Sequence, residues 1–331
     1  MLYISKKIYV PLLLLIGCFS LSCSSNIVNT SPNDKISVAT SIFPIYSIAN
    51  QIATDKIIVN LLIQPGDSPH TFTPTISAKQ ITERVDRVYI IDDNFDYAIL
   101  NIIDDKSKKL ALNNNIKLRK YDDAEHKDDD AEHKDDDAEH KDDDAEHKDD
   151  DAEHKDDDGH AHGEYDPHYW LSPNNAIQIA RNITDDLKEI DPGNASAYEK
   201  NYDTFEKSVS NLFVQLKEDV SEITDRPFIV MHEGWDYFID AFELNLVGAF
   251  ETVGAESPTP KYLAGLQETI NEKNVVAIFS EPQLSVSSIQ QFIKDNDLLT
   301  AVLDPIGGID GRMTYQELIK YNVSTLVKTL R

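Results

Sequence analysis

Histidines are the residues of this chain that point most directly to chemistry. The sequence has ten of them, and three lie outside low-complexity sequence: His70, His168 and His232. Two acidic residues, Glu281 and Asp304, occupy similar settings next to apolar β-branched runs. Zinc accepts imidazole nitrogens together with a carboxylate oxygen in four-coordinate sites, whereas manganese favours more oxygen ligands. These residues therefore indicate a metal site whose composition suits zinc.

The predicted secondary structure places most of these residues at one kind of position. Four of the five lie at or just after the end of a predicted strand: His70, His232, Glu281 and Asp304. The fifth, His168, precedes a predicted helix that opens at Pro173. In open parallel sheets, ligands bind outside the carboxyl ends of the strands. We therefore expect these side chains to line a common binding site.

Strands and helices alternate in both halves of the chain. Helical patterns cover 44–52 and 78–85, with Pro44 suited to a first turn. The runs predicted as strands are 35–40, 56–63, 87–91, 227–231, 244–250, 275–279 and 300–303, of which 56–63 is expected to be buried. Such alternation is typical of parallel sheets covered on both faces. The predicted fold class is α/β, with two lobes that are each a parallel sheet flanked by helices.

A long helix is predicted between the two lobes. Asn194 is a plausible N-cap, and apolar residues recur at spacings of three and four from Tyr198 to Val220. This pattern predicts about seven turns and a rigid linker over 194–223. The flanking lobes are then 35–193 and 225–331. The alternative is that this helix is one more packing element of a single large domain.

An acidic, histidine-containing repeat interrupts the first lobe. Five copies of a seven-residue unit begin at Asp122, and 122–158 carries −17 of the formal net charge of −28. Each unit offers only alanine as an apolar residue, so a coiled-coil seam is excluded and the insert 122–163 is predicted to be a disordered loop. Its histidines are candidate accessory metal ligands: His126, His133, His140, His147, His154, His160 and His162. The repeat either gathers zinc weakly or only keeps the protein solvated.

The net charge and the N-terminal sequence indicate which partners are excluded and where the protein is expected to be located. A strongly negative chain is repelled by phosphates, which argues against a nucleic-acid partner. Residues 1–23 resemble an export signal, with basic Lys6 and Lys7 before an apolar stretch too short to span a bilayer. Cys18 or Cys23 is expected to carry a lipid anchor, and a plain cleaved signal is the alternative. The protein is therefore expected outside the cytoplasm, at the cell surface or in the periplasm.

Four motifs together resemble those of the ZnuA-type solute-binding proteins, the metal-binding components of ABC importers for zinc and manganese. The motifs are 65–72 (PGDSPHTF), 166–173 (DPHYWLSP), 280–283 (SEPQ) and 303–305 (LDP). The resemblance covers roughly Lys35 to Arg331 and is interrupted by the repeat. It implies two α/β lobes bridged by a rigid helix, with the metal in the cleft between them.

The resemblance also implies a ligand set. Its metal ligands fall on His70, His168 and His232, with Asp304 or a water in the fourth position and Glu281 behind the ligands. The manganese branch of the family carries glutamate where His232 stands, so the histidine favours zinc. The implied function is capture of Zn²⁺ and delivery to an ABC transporter permease by a monomeric protein. The alternatives are a manganese-binding homologue and a zinc buffer or storage protein.

Other protein classes that bear on this sequence are zinc hydrolases, calcium-binding proteins and surface adhesins. His232-Glu233 begins like the HExxH helix of zinc hydrolases, but Asp236 stands where the second histidine is required, so no enzyme is expected. The repeat contains no glycine, which excludes an EF-hand calcium loop. A surface adhesin on the same fold remains open because a fold does not determine a function.

Overall fold

The computed structural model describes residues 35–121, 163–250, 258–284 and 286–331. The predicted export signal with Cys18 and Cys23 and the seven histidines of the insert lie outside these residues, so those assignments stay predictions. In the part of the chain that is described, no helix is long and apolar enough to cross a membrane.

The first lobe is built on a four-stranded parallel sheet. Its strands are β1 (Ser37–Thr40), β2 (Ile58–Leu61), β3 (Arg87–Ile90) and β4 (Lys109–Ala111), in the order β2-β1-β3-β4. Its helices are α1 (Phe43–Ala53), α2 (Ile76–Arg84), α3 (Tyr97–Leu100) and α4 (Pro173–Ile190). The β1 and β3 interiors are buried because helices cover both faces. The sequence predicted that β2 is also buried, and this was wrong: β2 is an edge strand, and Ile58 is 48% exposed.

The second lobe repeats this topology. Its strands are β5 (Phe228–Val230), β6 (Leu246–Ala249), β7 (Ala277–Ser280) and β8 (Leu299–Val302), in the order β6-β5-β7-β8. Its helices are α6 (Asp236–Phe242), α7 (Pro260–Lys273), α8 (Gln290–Asp295) and α9 (Tyr315–Leu330). All of its strand pairs are parallel. In each lobe the second strand lies at one edge of the sheet and the first strand lies beside it. Because all strands of a sheet are parallel, their carboxyl ends lie on the same side, and the loops that follow the strands begin there.

One long helix, α5 (Ala195–Val220), joins the lobes. Its 26 residues make a rod about 39 Å long at the usual rise per residue. The predicted apolar stripe is buried, except that Leu212 is only partly covered, and it packs on α4, α1 and α9. Asn194 does precede the helix, but its side chain makes no cap: the Nδ2 donates to Asp191 Oδ2 at 2.8 Å instead.

The larger of the two hydrophobic clusters among the described residues extends from one lobe into the other, and the smaller lies within the second lobe. The C-terminal helix α9 packs against α1 of the first lobe as well as against α5. Two buried aromatic side chains cross the same boundary: Trp170 Nε1 donates to the Pro305 carbonyl, and the Tyr315 hydroxyl donates to the Trp170 carbonyl, both at 2.9 Å. The two lobes therefore share one framework beneath the site.

Candidate metal centre

Three histidines from three separate loops meet at the carboxyl ends of the strands. His70 lies in a short 3-10 turn after β2, His168 directly precedes the turn that leads into α4, and His232 follows β5. One ring nitrogen of each lies within 4.8 Å of those of the other two. The ring centroids are 4.8 to 5.4 Å apart. The fold thus brings three residues that are far apart in the sequence into one cluster of candidate metal ligands.

The spacing of these rings suits a single ion. Nitrogens bound to tetrahedral zinc lie about 3.4 Å apart, given a Zn–N distance of about 2.0–2.1 Å. Small inward movements of the side chains would close the cluster from its limit of 4.8 Å onto an ion. His70 is exposed, whereas His168 is 2% exposed. The cluster therefore has one exposed and one buried candidate ligand.

His168 is held by the carboxylate two residues before it. Its backbone N–H donates to Asp166 Oδ1 at 2.9 Å, and its Nδ1 lies 2.7 Å from the same oxygen. Both side chains are almost completely buried. A carboxylate on one ring nitrogen orients the ring and leaves the other nitrogen for a metal. The Asp-Pro-His spacing places Asp166 close to His168 in the sequence, but this contact was not predicted from it.

His232 is held in the same manner by Glu281. Its Nδ1 lies 3.1 Å from Glu281 Oε1, and Trp235 Nε1 donates to that oxygen at 2.9 Å. Glu281 is 7% exposed and lies outside the cluster of ligand atoms among the described residues. It contacts a candidate ligand, and its predicted place behind the metal ligands stays a prediction. Trp235, which orients the carboxylate, was missed.

A glycine and two aromatic rings enclose the cluster. A Cβ built on Gly234 would lie 2.9 Å from ring atoms of both His168 and His232. Phe95 packs edge-on against His70, with ring centroids 5.4 Å apart, and Trp170 packs against His168 at 5.1 Å. The rings are thus positioned by direct contact on several sides, and nothing larger than glycine fits at 234 without displacing them.

Asp304 does not join the histidines in the cluster that the described residues form. Its Oδ1 accepts the N–H groups of Ile306 and Gly307 at 2.9 Å, and its Oδ2 accepts from Arg312 Nη1 at 2.8 Å. The Asp304 side chain is 2% exposed. Both carboxylate oxygens are therefore engaged by the loop after β8, and binding an ion would require Asp304 to exchange these partners. Its role as a ligand stays a prediction.

One buried carboxyl group lies behind the wall of the site. Burial raises the pKa of Asp96 to about 8, although its Oδ2 accepts the N–H of Ile91 at 2.6 Å. Asp96 follows Phe95, the ring that packs against His70. At neutral pH this group is mostly protonated and adds little negative charge to the cleft.

Two α/β lobes around a nitrogen-rich cluster define a two-lobed metal-binding protein. The family model described as zinc-uptake complex component A, periplasmic, matches residues 38–329. The chain therefore belongs to that family.

Curated relatives agree with this assignment. The chain is 30% identical to the high-affinity zinc uptake system protein ZnuA of Brucella abortus over 166 residues, which are 50% of each chain. It is 24% identical to the zinc-binding lipoprotein AdcA of Streptococcus pneumoniae over 98% of this chain and 61% of the relative. The matches thus span only about half to three fifths of these relatives.

Solved structures share the fold. A ZnuA crystal structure superposes with a TM-score of 0.69 at 22% identity, covering 90% of this chain and all of that one. The laminin-binding protein Lmb of Streptococcus agalactiae, described as bifunctional with adhesin and metal transporting activity, gives 0.69 at 21% identity, over 89% of this chain and 100% of Lmb. A manganese-bound protein of Candidatus Liberibacter asiaticus gives 0.70 at 18% identity, over 90% of this chain and 100% of that one. The fold alone therefore does not separate zinc from manganese.

Proposed function

We propose that this protein captures Zn²⁺ outside the cytoplasm and delivers it to the permease of an ABC importer. The observation that carries the proposal is the convergence of His70, His168 and His232, with their ligand atoms within 4.8 Å of one another. Family membership supports a role in zinc uptake. The cargo ion would bind directly to these side chains, and no covalent bond is made or broken.

The donor set favours zinc over manganese. Three imidazoles present nitrogen to the ion, and the candidate carboxylates Glu281 and Asp304, like Asp166 beside His168, already contact other partners. Manganese prefers carboxylate, carbonyl and water oxygens, whereas imidazole suits zinc. The expected order is therefore tight zinc binding and much weaker manganese binding.

Binding would tie the two lobes together. His70 and His168 belong to the first lobe and His232 to the second, so a bound ion bridges them. The exposed His70 is placed to receive the ion first, and the buried His168 holds it afterwards. Release then requires a small tilt of one lobe or protonation of the imidazoles, because a protonated ring cannot act as a ligand.

For the fourth position, the contacts favour water over Asp304. Its three hydrogen bonds, one of them from a mostly buried arginine, would have to break before an oxygen could turn to the ion. Removing the partner of a buried charge costs about 3–5 kcal/mol. Three protein ligands with a water in the fourth position are a known arrangement for zinc in open sites.

The N-terminus and the repeat extend this proposal. A lipid on Cys18 or Cys23 would keep the protein at a membrane, close to the permease. The repeat would gather zinc weakly, since each seven-residue unit offers one imidazole among several carboxylates. We propose further that the protein acts as a monomer and is not an enzyme.

The proposal is tested by zinc uptake and by binding together. Cells that lack this protein should regain zinc uptake at low external metal when given the intact gene, and not when given one with His70, His168 and His232 all changed to alanine. A variant lacking 122–158 should lose part of its uptake only when zinc is scarce. Restored uptake by the triple variant would refute the role of the cluster, and preferential restoration of manganese uptake by the intact gene would support the manganese alternative.

A further inference from the structure

The repeat enters and leaves the first lobe through a short antiparallel stem, formed by 119–121 and 164–166. The Asp166 N–H donates to the Arg119 carbonyl at 2.9 Å, and Lys120 pairs with Tyr165 in an isolated bridge. Lys120 also forms an ion pair with Glu164 across the stem. The two strands of the stem therefore stay together at the base of the repeat.

A single hydroxyl from the other lobe joins both strands of this stem. Tyr237, on α6 of the second lobe, accepts the Arg119 N–H at 2.8 Å and donates to the Asp166 carbonyl at 3.1 Å. Its side chain is 5% exposed. Loss of the hydroxyl would leave a partly buried N–H and a buried carbonyl without this partner, which costs more than a surface hydrogen bond contributes.

The side chain of Arg119 makes a second connection between the same two elements. Its Nη2 lies 3.2 Å from Asp236 Oδ2, and its Nη1 forms an ion pair with Asp240, both on α6. These groups are 37%, 45% and 62% exposed, so solvent screens them and their contribution is small. Tyr237 is therefore the stronger part of the connection.

Both ends of this connection lead to candidate ligands. On the first lobe, Asp166 holds His168 through its carboxylate while Tyr237 holds its carbonyl. On the second lobe, Trp235 lies two residues before Tyr237 and donates to Glu281, which contacts His232. The Tyr237 hydroxyl thus contacts the residue that holds His168, and Tyr237 lies two residues after Trp235, which contacts the residue that holds His232.

We propose that Tyr237, supported by Arg119, is a positioning residue that clasps the lobes together and sets the rate at which zinc leaves the site. The inference rests on the proposed function. The clasp keeps His168 and His232 at ligand distance, and the ion escapes when the stem separates from α6.

The test is the dissociation rate of zinc, measured by stopped-flow mixing of the loaded protein with excess chelator. Tyr237→Phe keeps the ring and removes the hydroxyl, and we expect zinc to leave about tenfold faster, with little change in the association rate. Tyr89→Phe is the matched control. It removes another buried hydroxyl, 2.8 Å from Asp186 Oδ2, whose contacts lie within the first lobe.

A purely structural role would give a different pattern. In that case both phenylalanine variants would lower the melting temperature of the metal-free protein and neither would change zinc dissociation. Arg119→Ala, at a partly exposed position, provides a second variant should Tyr237→Phe not fold. It should raise the dissociation rate less than Tyr237→Phe does and make that rate less sensitive to salt, because the exposed ion pairs that salt screens are gone.

The outcomes separate this inference from the proposed function. Tight zinc binding by the wild type with wild-type dissociation in both Tyr237→Phe and Arg119→Ala would overturn the clasp alone. Absence of tight zinc binding in the wild type would overturn the function itself.

Discussion

Replacing Gly234 with alanine is the most direct way to disturb the cluster without removing a ligand. The added Cβ would lie 2.9 Å from Cε1 and Nδ1 of His168 and from Cε1 of His232. Carbon atoms that are not bonded to one another rarely approach closer than about 3.5 Å, so the rings must each move by about half an ångström. Each shift would disturb a supporting contact, because Asp166 holds one ring and Glu281 holds the other.

The size of the effect follows from how metal sites tolerate such shifts. Changes that misplace ligands through their supporting contacts cost about 10–100-fold in metal affinity. This range corresponds to about 1.4–2.7 kcal/mol of binding free energy. Without the ion, the rings can relax apart, so the metal-free protein should lose much less stability than the complex loses affinity.

The assay is competition for zinc against a chelator of known affinity, beside thermal unfolding of the metal-free protein. Gly265→Ala is the matched control because it adds the same methyl group in the second lobe, where its Cβ would meet nothing within 4 Å. It lies inside α7, so alanine should stabilise the helix slightly and leave zinc affinity unchanged. Wild-type zinc affinity in Gly234→Ala would refute the reasoning, since it would mean that the ion does not bind between these two rings.

Three further experiments, with four substitutions, test the roles of His232 and Glu281, of Asp304 and of Asp96. His232→Ala should weaken zinc binding far more than Glu281→Ala, because the first removes a ligand and the second only its orienting partner; chelator competition measures both. Asp304→Asn should lower the free energy of unfolding by about 3 kcal/mol, since Arg312 loses a buried partner, and change zinc affinity by less than tenfold; denaturant unfolding and competition measure the two effects. Asp96 has a folded-state pKa of about 8, above its unfolded value, so the folded protein holds an extra proton and the free energy of unfolding should fall as pH rises from about 4 to 8. Asp96→Asn should remove that part of the pH dependence of the metal-free protein.

Each of these has a contrary result. Equal losses of affinity in His232→Ala and Glu281→Ala would make Glu281 a direct ligand. A loss in Asp304→Asn as large as that in His232→Ala would place Asp304 on the ion instead of water. Parallel stability curves for wild type and Asp96→Asn between pH 4 and 8 would mean that the buried carboxyl group is ionised throughout.

The fold was largely predictable from the chain because its signals are local and periodic. Short β-branched runs mark seven of the eight strands in the described residues, and the apolar stripe from Tyr198 to Val220 marks α5. The strand at Lys109–Ala111 was missed because three residues, one of them charged, carry no such pattern. Asn194 shows the limit of capping rules, since its side chain donates a hydrogen bond to Asp191 instead of capping the helix.

The site was predictable as a set of residues and less so as a set of contacts. Strand ends and the family motifs led to His70, His168 and His232, which the structure brings together. Neither spacing nor composition shows that Gly234 touches two rings or that Trp235 reaches Glu281, because these contacts depend on how loops from separate strands pack.

Asp304 shows the same limit at a single residue. Its place after β8 is what the strand pattern predicted, but the direction of its carboxylate depends on the loop that follows. Arg312, eight residues later, and two backbone N–H groups engage both oxygens. A position at the end of a strand therefore identifies a candidate ligand without showing which group it binds.

The central claim is that the three-histidine cluster, and not the repeat, is the tight zinc site. Calorimetric titration of zinc into the exported protein, beside a variant lacking 122–158, tests this most directly. We predict one tight site of unchanged affinity in the variant, with only weaker additional binding lost. Absence of a tight site in that variant would show that the repeat is the true zinc ligand, and storage or buffering would replace transport as the function.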